Sequence, residues 1–292
     1  MPKHNKPKPK TKPTKVKLAQ LVVERGHFSS QEEAAGWIMA GKVLVDGKRV
    51  DKPGTMVAAD ASVQIKGKMR YVGKGGYKLA GALDDFGISV EGKVALDAGA
   101  STGGFTHCLL TSGAAKVYAV DTGYGQLAGV LRADPRVVNL ERTNIGELNA
   151  ADLVPPPNLG TVDLSYLSLT VAIPIVAGLL TPDGELVCLV KPLFEVEDTE
   201  IRRSGVFTHP DQYRQVLHDL ISKVEEKGYK VAGLVPSRYR GNKGTLEFFL
   251  HLPLQPKTNS VSIDIDEAIE KSVTEALKLP PFAAQEVEDS WS

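Results

Sequence analysis

Apolar positions along this chain follow two periods, and the period changes with position. From Tyr77 to Leu252, short continuous apolar runs alternate with longer stretches whose apolar residues recur every three to four positions. The short runs predict strands at Val94–Ala98, Lys116–Asp121, Val137–Leu140, Thr161–Ser165 and Glu185–Val190. The longer stretches predict helices at Tyr77–Phe86, Phe105–Ser112, Gln126–Ala133, Leu169–Leu180 and Pro210–Lys227. Two closing strands follow, Lys230–Pro236 and Thr245–Leu252, joined by a glycine-containing loop from Arg240 to Gly244 that suits an antiparallel edge pair. Such alternation predicts an α/β fold, a doubly wound Rossmann-like sheet with helices on both faces.

Ahead of it the pattern shortens. Lys17–Arg25 is helical in period and stops at Gly26. Ser30-Gln31-Glu32-Glu33 has the form of a capping box, followed by Ala34, Trp37, Ile38 and Ala40 at helical spacing and by Gly41 as a stop. Lys42 to Val50 forms two short strands around the Asp46-Gly47 turn, and Val63–Ile65 a further strand. These elements predict a small α+β domain over residues 15–67, linked through the basic, glycine-rich stretch 68–76 to a larger domain over 77–252. Residues 1–14 alternate Lys and Pro and are too poor in apolar side chains to fold. Residues 253–292 form an acidic extension in which the spacing of Ile269, Val273 and Leu277 allows an amphipathic helix at Asp266–Lys278.

Composition changes this picture little. At 292 residues, 42% apolar and 24% charged, the chain is an ordinary globular protein with one sizeable core and a small second one. Its formal net charge of zero argues against bulk attraction to nucleic acid, but the charge is unevenly placed. Residues 1–17 carry seven Lys and no acid, whereas 253–292 carry eight acids against three Lys, so a basic arm could still reach phosphates. Cys108 and Cys188 both lie in apolar segments, as expected of buried thiols in a reducing, cytoplasmic setting. The uncharged run Leu164–Pro182 is as long as a membrane span, yet Pro174 interrupts it and Asp163 and Asp183 bound it. It is better read as a strand end, a loop and a buried helix.

The chemistry gathers at predicted strand ends. The first strand of the larger domain runs into Asp97-Ala98-Gly99-Ala100-Ser101-Thr102-Gly103-Gly104-Phe105 and then a helix. Glycines at that turn let backbone approach a ligand at the carboxyl end of the sheet. The spacing is neither a dinucleotide fingerprint nor a P-loop. An acid at Asp97 repels pyrophosphate but suits a cation such as the methionyl ammonium of S-adenosylmethionine. Asp121, closing the next strand, stands where a carboxylate would accept hydrogen bonds from a ribose. Asn144, after the third strand, either frames an adenine or is a turn residue. Asp163, Lys191 and Glu247 fall at or within later strands, and Lys78 opens the helix before the first. No metal ligation is expected.

Residues 15–252 resemble the TlyA-type group of ribosomal RNA 2′-O-methyltransferases, also named hemolysins, whose catalytic domain is FtsJ-like. The resemblance rests on Gly75 to Leu83, Asp97–Phe105, Val117–Gln126, Glu141 to Asn144, Lys191–Glu195 and Glu247–Leu252. It implies S-adenosylmethionine as donor, bound by the Asp97–Phe105 turn, Asp121 and Asn144. It also implies a Lys-Asp-Lys-Glu tetrad around the reacting hydroxyl, by position Lys78, Asp163, Lys191 and Glu247. Lys191 would then serve as base if Lys78 and partial burial lower its pKa, with Asp163 and Glu247 orienting the lysines. The first folded residues resemble an S4-like RNA-binding domain, implying rRNA or ribosomal subunits as partners and no membrane. Its second helix carries Gln31, Glu33 and Ala35 where basic residues are usual, leaving Lys15, Lys17, Lys42, Lys48, Arg49 and Lys52 as the expected RNA contacts. Tyr166, Leu193 and Phe207-Thr208-His209 also depart from the family pattern. Two readings of another class stand beside this one: a membrane-acting hemolysin, and a non-catalytic RNA-binding protein that retains the fold.

Overall fold

The computed structural model describes residues 14–25, 27–28, 30–67, 70–241, 244–255 and 263–280. The expected Lys/Pro arm, apart from Thr14, lies outside the described residues, as do Lys68 and Met69 and residues 256–262 and 281–292 of the acidic extension. Two compact units divide between Arg70 and Tyr71.

The N-terminal unit holds β1 (Lys15–Lys17), α1 (Leu18–Glu24), α2 (Gln31–Met39), β2 (Val43–Val45), β3 (Lys48–Val50), β4 (Met56–Ala58) and β5 (Val63–Ile65). Ser30 caps α2, its Oγ accepting from Glu33 N at 3.1 Å, as the Ser-x-x-Glu spacing implies. β2 pairs with β3 and β5, and β1 pairs with β4. Neither β1 nor β4 was visible in the sequence pattern, whereas the equally short β2 and β3 were marked by the Asp46-Gly47 turn between them. Leu18, Val22, Ala34, Ile38 and Val43, each fully buried, form the centre of its core.

The larger unit runs α3 (Lys74–Phe86), β6 (Val94–Ala98), α4 (Gly104–Thr111), β7 (Lys116–Val120), α5 (Gly129–Arg132), β8 (Val137–Leu140), β9 (Leu159–Val162), α6 (Leu169–Ala177), β10 (Glu185–Val190), α7 (Pro192–Glu195), α8 (Thr199–Ser204), α9 (Pro210–Glu226), β11 (Gly233–Pro236), β12 (Phe248–Pro253) and α10 (Ile265–Leu277). Its seven-stranded sheet has the order β11-β12-β10-β9-β6-β7-β8, with β12 antiparallel to both neighbours and the five strands from β10 to β8 parallel. This is the doubly wound sheet that the alternation predicted. Residues of β12 alternate between faces: Phe248, Leu250 and Leu252 join α6, α9 and α10 in one core, while the Phe249 ring lies 6.1 Å from Phe105 of α4 on the other. Chain direction reverses across the sheet at β6, which pairs with β7 on one side and β9 on the other. A crevice therefore opens at the carboxyl end of β6, where ligands bind in open α/β sheets.

Several boundaries moved. β9 spans Leu159–Val162, not 161–165, because its partners Ala98 and Cys188 end the shared ladders at Val162. The expected helix from Gln126 shrinks to α5, since the Gln126 and Leu127 amides donate to the Glu141 carboxylate instead of to a helix. β12 begins at Phe248, so Glu247 precedes the strand in which it was expected. The uncharged run contains α6 with Pro174 inside it, and no helix among the described residues is long and apolar enough to cross a membrane.

Candidate active site

The turn after β6 is built by conformation that only particular residues adopt. Gly99 and Gly103 have φ of 92° and 96°, and Ser101 has φ of 48°. A Cβ on Gly99 would lie 2.4 Å from the Asp163 carbonyl oxygen, and one on Gly103 would lie 2.2 Å from Leu131 Cδ1. Both positions thus need glycine for φ and for space. Gly104 opens α4, and its Cα faces Gly75 and Gly76 of α3 so closely that a Cβ would sit 3.0 Å from Gly76 N. The Gly99 and Ala100 amides donate to Val120 O at 2.9 and 3.0 Å, anchoring the turn to β7. Ser101 and Thr102 are exposed at its rim, whereas Ala100 and Phe105 are buried and serve packing.

Asp97 corrects the sequence expectation. It is fully buried, and its two oxygens accept from Thr106 Oγ1 at 2.6 Å and Thr161 Oγ1 at 2.9 Å. Burial pushes its carboxyl up to about 6 despite those two hydrogen bonds. Its side chain therefore clamps β6 to α4 and β9 and does not face the crevice. Asp121 is half-buried, and its oxygens accept from Ser101 N at 2.8 Å and Gly123 N at 2.7 Å. It ties the two loops together and retains lone pairs for a further donor. The Asn144 side chain accepts from Gly146 N at 3.0 Å, so it caps a short turn, the plainer of its two readings.

Glu141 was quoted in sequence only as part of a motif, yet it organises this side of the crevice. Backbone hydrogen bonds from Leu127 and Gln126 (3.0 and 2.7 Å to Oε1) and one from Asn139 Nδ2 hold its carboxyl down to about 2. A carboxylate fifteen residues from its partners leaves no local signal.

The four residues expected at the chemistry meet beside the turn. The Lys78 ammonium, from α3, donates to Glu247 Oε2 at 2.5 Å, and Lys191 Nζ, at the end of β10, lies 2.6 Å from Asp163 Oδ1. The second contact is an ion pair: Lys191 directs its hydrogen bonds at Ser165 Oγ (3.2 Å) and Leu164 O (3.4 Å). Burial raises the Glu247 carboxyl above its usual range, against the pull of Lys78, with Asp163 adding repulsion and Lys191 attraction. Two ammonium and two carboxylate groups therefore share one field. Lys78 and Glu247 are only 11% and 8% exposed, whereas Lys191 and Asp163 are 20% and 26% exposed and form the accessible half. The loops carrying the latter pair are joined by Glu195, whose carboxylate accepts from Ser168 Oγ at 2.6 Å and Leu169 N at 2.9 Å. Tyr166, 91% exposed with φ of 68°, lies between them with its ring 5.2 Å from Phe194. A cavity of about 380 Å³ among α7, α8 and α9 is lined by none of the tetrad or turn residues. Its lining carries four acids, Glu195, Glu197, Asp198 and Asp219, beside Arg202 and Lys223, the latter paired with Glu197.

The candidate RNA contacts lie in the N-terminal unit, all exposed. Lys15 and Lys17 flank the inward Val16 on β1, and Lys48 and Arg49 project from β3. Lys42 Nζ sits 4.9 Å from the centre of the Trp37 ring. The Arg49 guanidinium lies over Gly41, where a Cβ would come within 2.1 Å of it. Lys52 follows β3 in the loop to β4.

Comparison with known proteins agrees with this geometry. Residues 71–253 match the FtsJ-like methyltransferase family, and residues 16–63 match the S4 domain. The chain is 39% identical over 87% of its length, and 96% of the relative's, to the 16S/23S rRNA (cytidine-2′-O)-methyltransferase TlyA of Mycobacterium tuberculosis. It is 42% identical over 82% of its length to YqxC of Bacillus subtilis, named as an rRNA methyltransferase, covering 85% of that protein. With Hemolysin A of Brachyspira hyodysenteriae it shares 36% identity over 81% of its length and 99% of the relative's. A solved hemolysin-named structure from Streptococcus thermophilus superposes with a TM-score of 0.66 at 37% identity, covering 90% of this chain and 96% of that one. The chain belongs to the FtsJ-like methyltransferases, in the TlyA group that joins an S4 domain to the catalytic one.

Proposed function

We propose that this protein transfers a methyl group from S-adenosylmethionine to a ribose 2′-hydroxyl of ribosomal RNA, working on ribosomes or their precursors in the cytoplasm. The observation that carries the reading is the placement of two lysine–carboxylate pairs, Lys78–Glu247 and Lys191–Asp163, against a glycine turn shaped for a donor. The acceptor class rests on the activities named for the relatives and on the S4 domain.

The residues present fit the donor. Amides in the first turn of α4 would hold its carboxylate, and the free lone pairs of Asp121 would accept from its ribose hydroxyls. When bound, S-adenosylmethionine supplies a methyl group already activated on a sulfonium. What remains for the protein is to align an oxygen with that carbon and to take a proton from it. Lys191, on the accessible side, is placed to accept the hydroxyl proton as the oxygen–carbon bond forms, once its ammonium has released a proton to solvent and exposes a lone pair. Asp163 holds Lys191 by charge, and Ser165 and Leu164 fix its direction. Lys78, buried against Glu247, supplies positive charge from behind and positions the ribose. The exposed Tyr166 ring offers a stacking face to a base next to the reacting ribose.

The test is transfer from labelled donor to 30S and 50S subunits lacking the modification and to naked rRNA, followed by mapping the label. Label on a ribose 2′-oxygen is expected. Donor binding without transfer to any RNA would overturn the acceptor. Lys191→Ala should lower kcat by about 10² to 10⁴ while donor binding persists; full activity in that variant would remove Lys191 from the proton transfer.

A further inference from the structure

The C-terminal helix α10 lies beyond the residues that match the FtsJ-like family, and nothing in the chemistry above uses it. Yet it is firmly seated. Ile269, Val273 and Ala276 are buried in the sheet core, Ser272 Oγ donates to Leu234 O of β11 at 3.2 Å, and Glu270 pairs with Arg214 of α9 at 2.6 Å. Its C-terminal end leaves backbone carbonyls without helical partners, and one side chain takes them. Arg240 donates from Nη2 to Leu277 O at 3.1 Å and from Nε to Leu279 O at 2.8 Å. A guanidinium at a helix C-terminus also meets the negative end of the helix dipole.

The same guanidinium faces the segment that delivers Glu247. Its Nη1 reaches Gly244 O at 3.3 Å, and Gly241 N closes the loop by donating to Thr245 O at 2.8 Å. Gly241 then lies against the Glu247 carboxylate itself: a Cβ there would stand 2.1 Å from Oε1. On the strand side Ser237 N holds Glu247 O at 2.8 Å. Glu247 sits one residue outside β12, its backbone held to Ser237 and its carboxylate flanked by Gly241 and Lys78.

We infer that Arg240 is a positioning residue for methyl transfer: it fastens Gly244, and with it the approach through Thr245 to Glu247, to the end of α10 and so aims Glu247 at Lys78. The inference rests on the reading of Lys78 and Glu247 as part of the reacting site. It gives the C-terminal helix a task, as the fixed post to which one corner of the site is tied.

The test uses the full chain with single-turnover methyl transfer to undermethylated ribosomal subunits, and donor affinity by calorimetry. Arg240→Ala is expected to lower kcat about tenfold with KM for subunits and Kd for the donor unchanged. Arg240→Lys, which keeps the charge but bridges fewer carbonyls, should recover part of the loss. Gly241→Ala, which crowds the carboxylate directly, should lower kcat in the same way. Combining Arg240→Ala with Glu247→Gln should cost no more than Glu247→Gln alone, since one acts through the other. Wild-type kcat in Arg240→Ala, or losses that multiply in the double variant, would overturn the inference. If Arg240→Ala fails to fold, Arg240→Lys decides by the same split between kcat and donor binding. Full activity in Glu247→Gln would instead strike at the site reading itself. Should no RNA accept a methyl group, a crystal structure of Arg240→Lys still settles the point: Glu247 displaced from Lys78 supports the tie, and an unmoved pair overturns it.

Discussion

At the scale of single residues, the site grades its charged groups by exposure. Lys78 and Glu247 are shielded, Lys191 and Asp163 less so, and Asp97 is enclosed altogether. Asp97 yields a prediction with a definite sign. Its folded pKa is raised to about 6 from 3.8, so between these values the folded state binds more protons than the unfolded one. Its ionisation therefore costs stability as pH rises from about 4 to 6, and the cost is relieved on the way down. Asp97→Asn, which can still bond Thr106 and Thr161, should flatten the change of melting temperature across that window. An unchanged slope would show that other groups carry it. Lys78→Met should lower kcat more than it lowers donor affinity, because Lys78 faces Glu247 and not the turn; calorimetry beside single-turnover rates checks this. Lys78, Asp163, Lys191 and Glu247 were singled out in the sequence by motif resemblance, and folding brings them into two neighbouring ion pairs. That Asp97 points inward was not legible there, because the hydroxyls that enclose it come from Thr106 and from the distant Thr161.

At the scale of elements, the crevice depends on loops that reach across sequence. Glu141 receives the amides of Gln126 and Leu127 and thereby ends the helical period early, shortening a predicted helix to α5. Glu141→Ala leaves both amides without that acceptor and frees the loop beside Asp121. Donor affinity should fall about tenfold, in line with the loss of a charged acceptor for two hydrogen bonds, with kcat at saturating donor little changed. An unaltered donor Kd in calorimetry would show that the loop does not bear on binding. Gly99→Ala should be more severe, abolishing donor binding, since a Cβ meets the Asp163 carbonyl and φ is left-handed as well. Strand and helix positions in the larger unit were readable from periodicity. The short strands β1 and β4 and the short helices α7 and α8 were not, because a period needs several repeats, or a turn signal beside it, before it stands out.

At the scale of the whole molecule, charged groups at the far end of the sheet and on the N-terminal unit carry predictions of their own. At the opposite end of the sheet from the turn, Glu185 at the start of β10 accepts from Lys93 and from His251 Nε2, the latter at 2.8 Å. Burial pushes the Glu185 carboxyl up, but bonds and charge from His251 and Lys93 outweigh it and hold the group at about 2. Its contribution is thus present above about 4.5 and lost as pH falls from there toward 2. Glu185→Gln should narrow the difference in urea midpoint between pH 5 and pH 3; equal narrowing in neither direction would assign acid sensitivity elsewhere. In the N-terminal unit, Lys42→Ala and Arg49→Ala should weaken binding to rRNA of any sequence and each reduce the salt slope of log K by about one. An unchanged slope would remove those residues from the phosphate contacts.

What the linear chain settled was the doubly wound layout and the glycine-marked turn after its first strand, because periodicity and glycine placement are local and survive without neighbours. What had to await folding was direction and partnership. Asp97 turns inward, Glu247 stands on a loop tied to α10, and Glu141 captures amides fifteen residues away, each fixed by groups distant in sequence. A side chain's role follows from what its charge can reach and how much water remains around it, and both are properties of the packed whole.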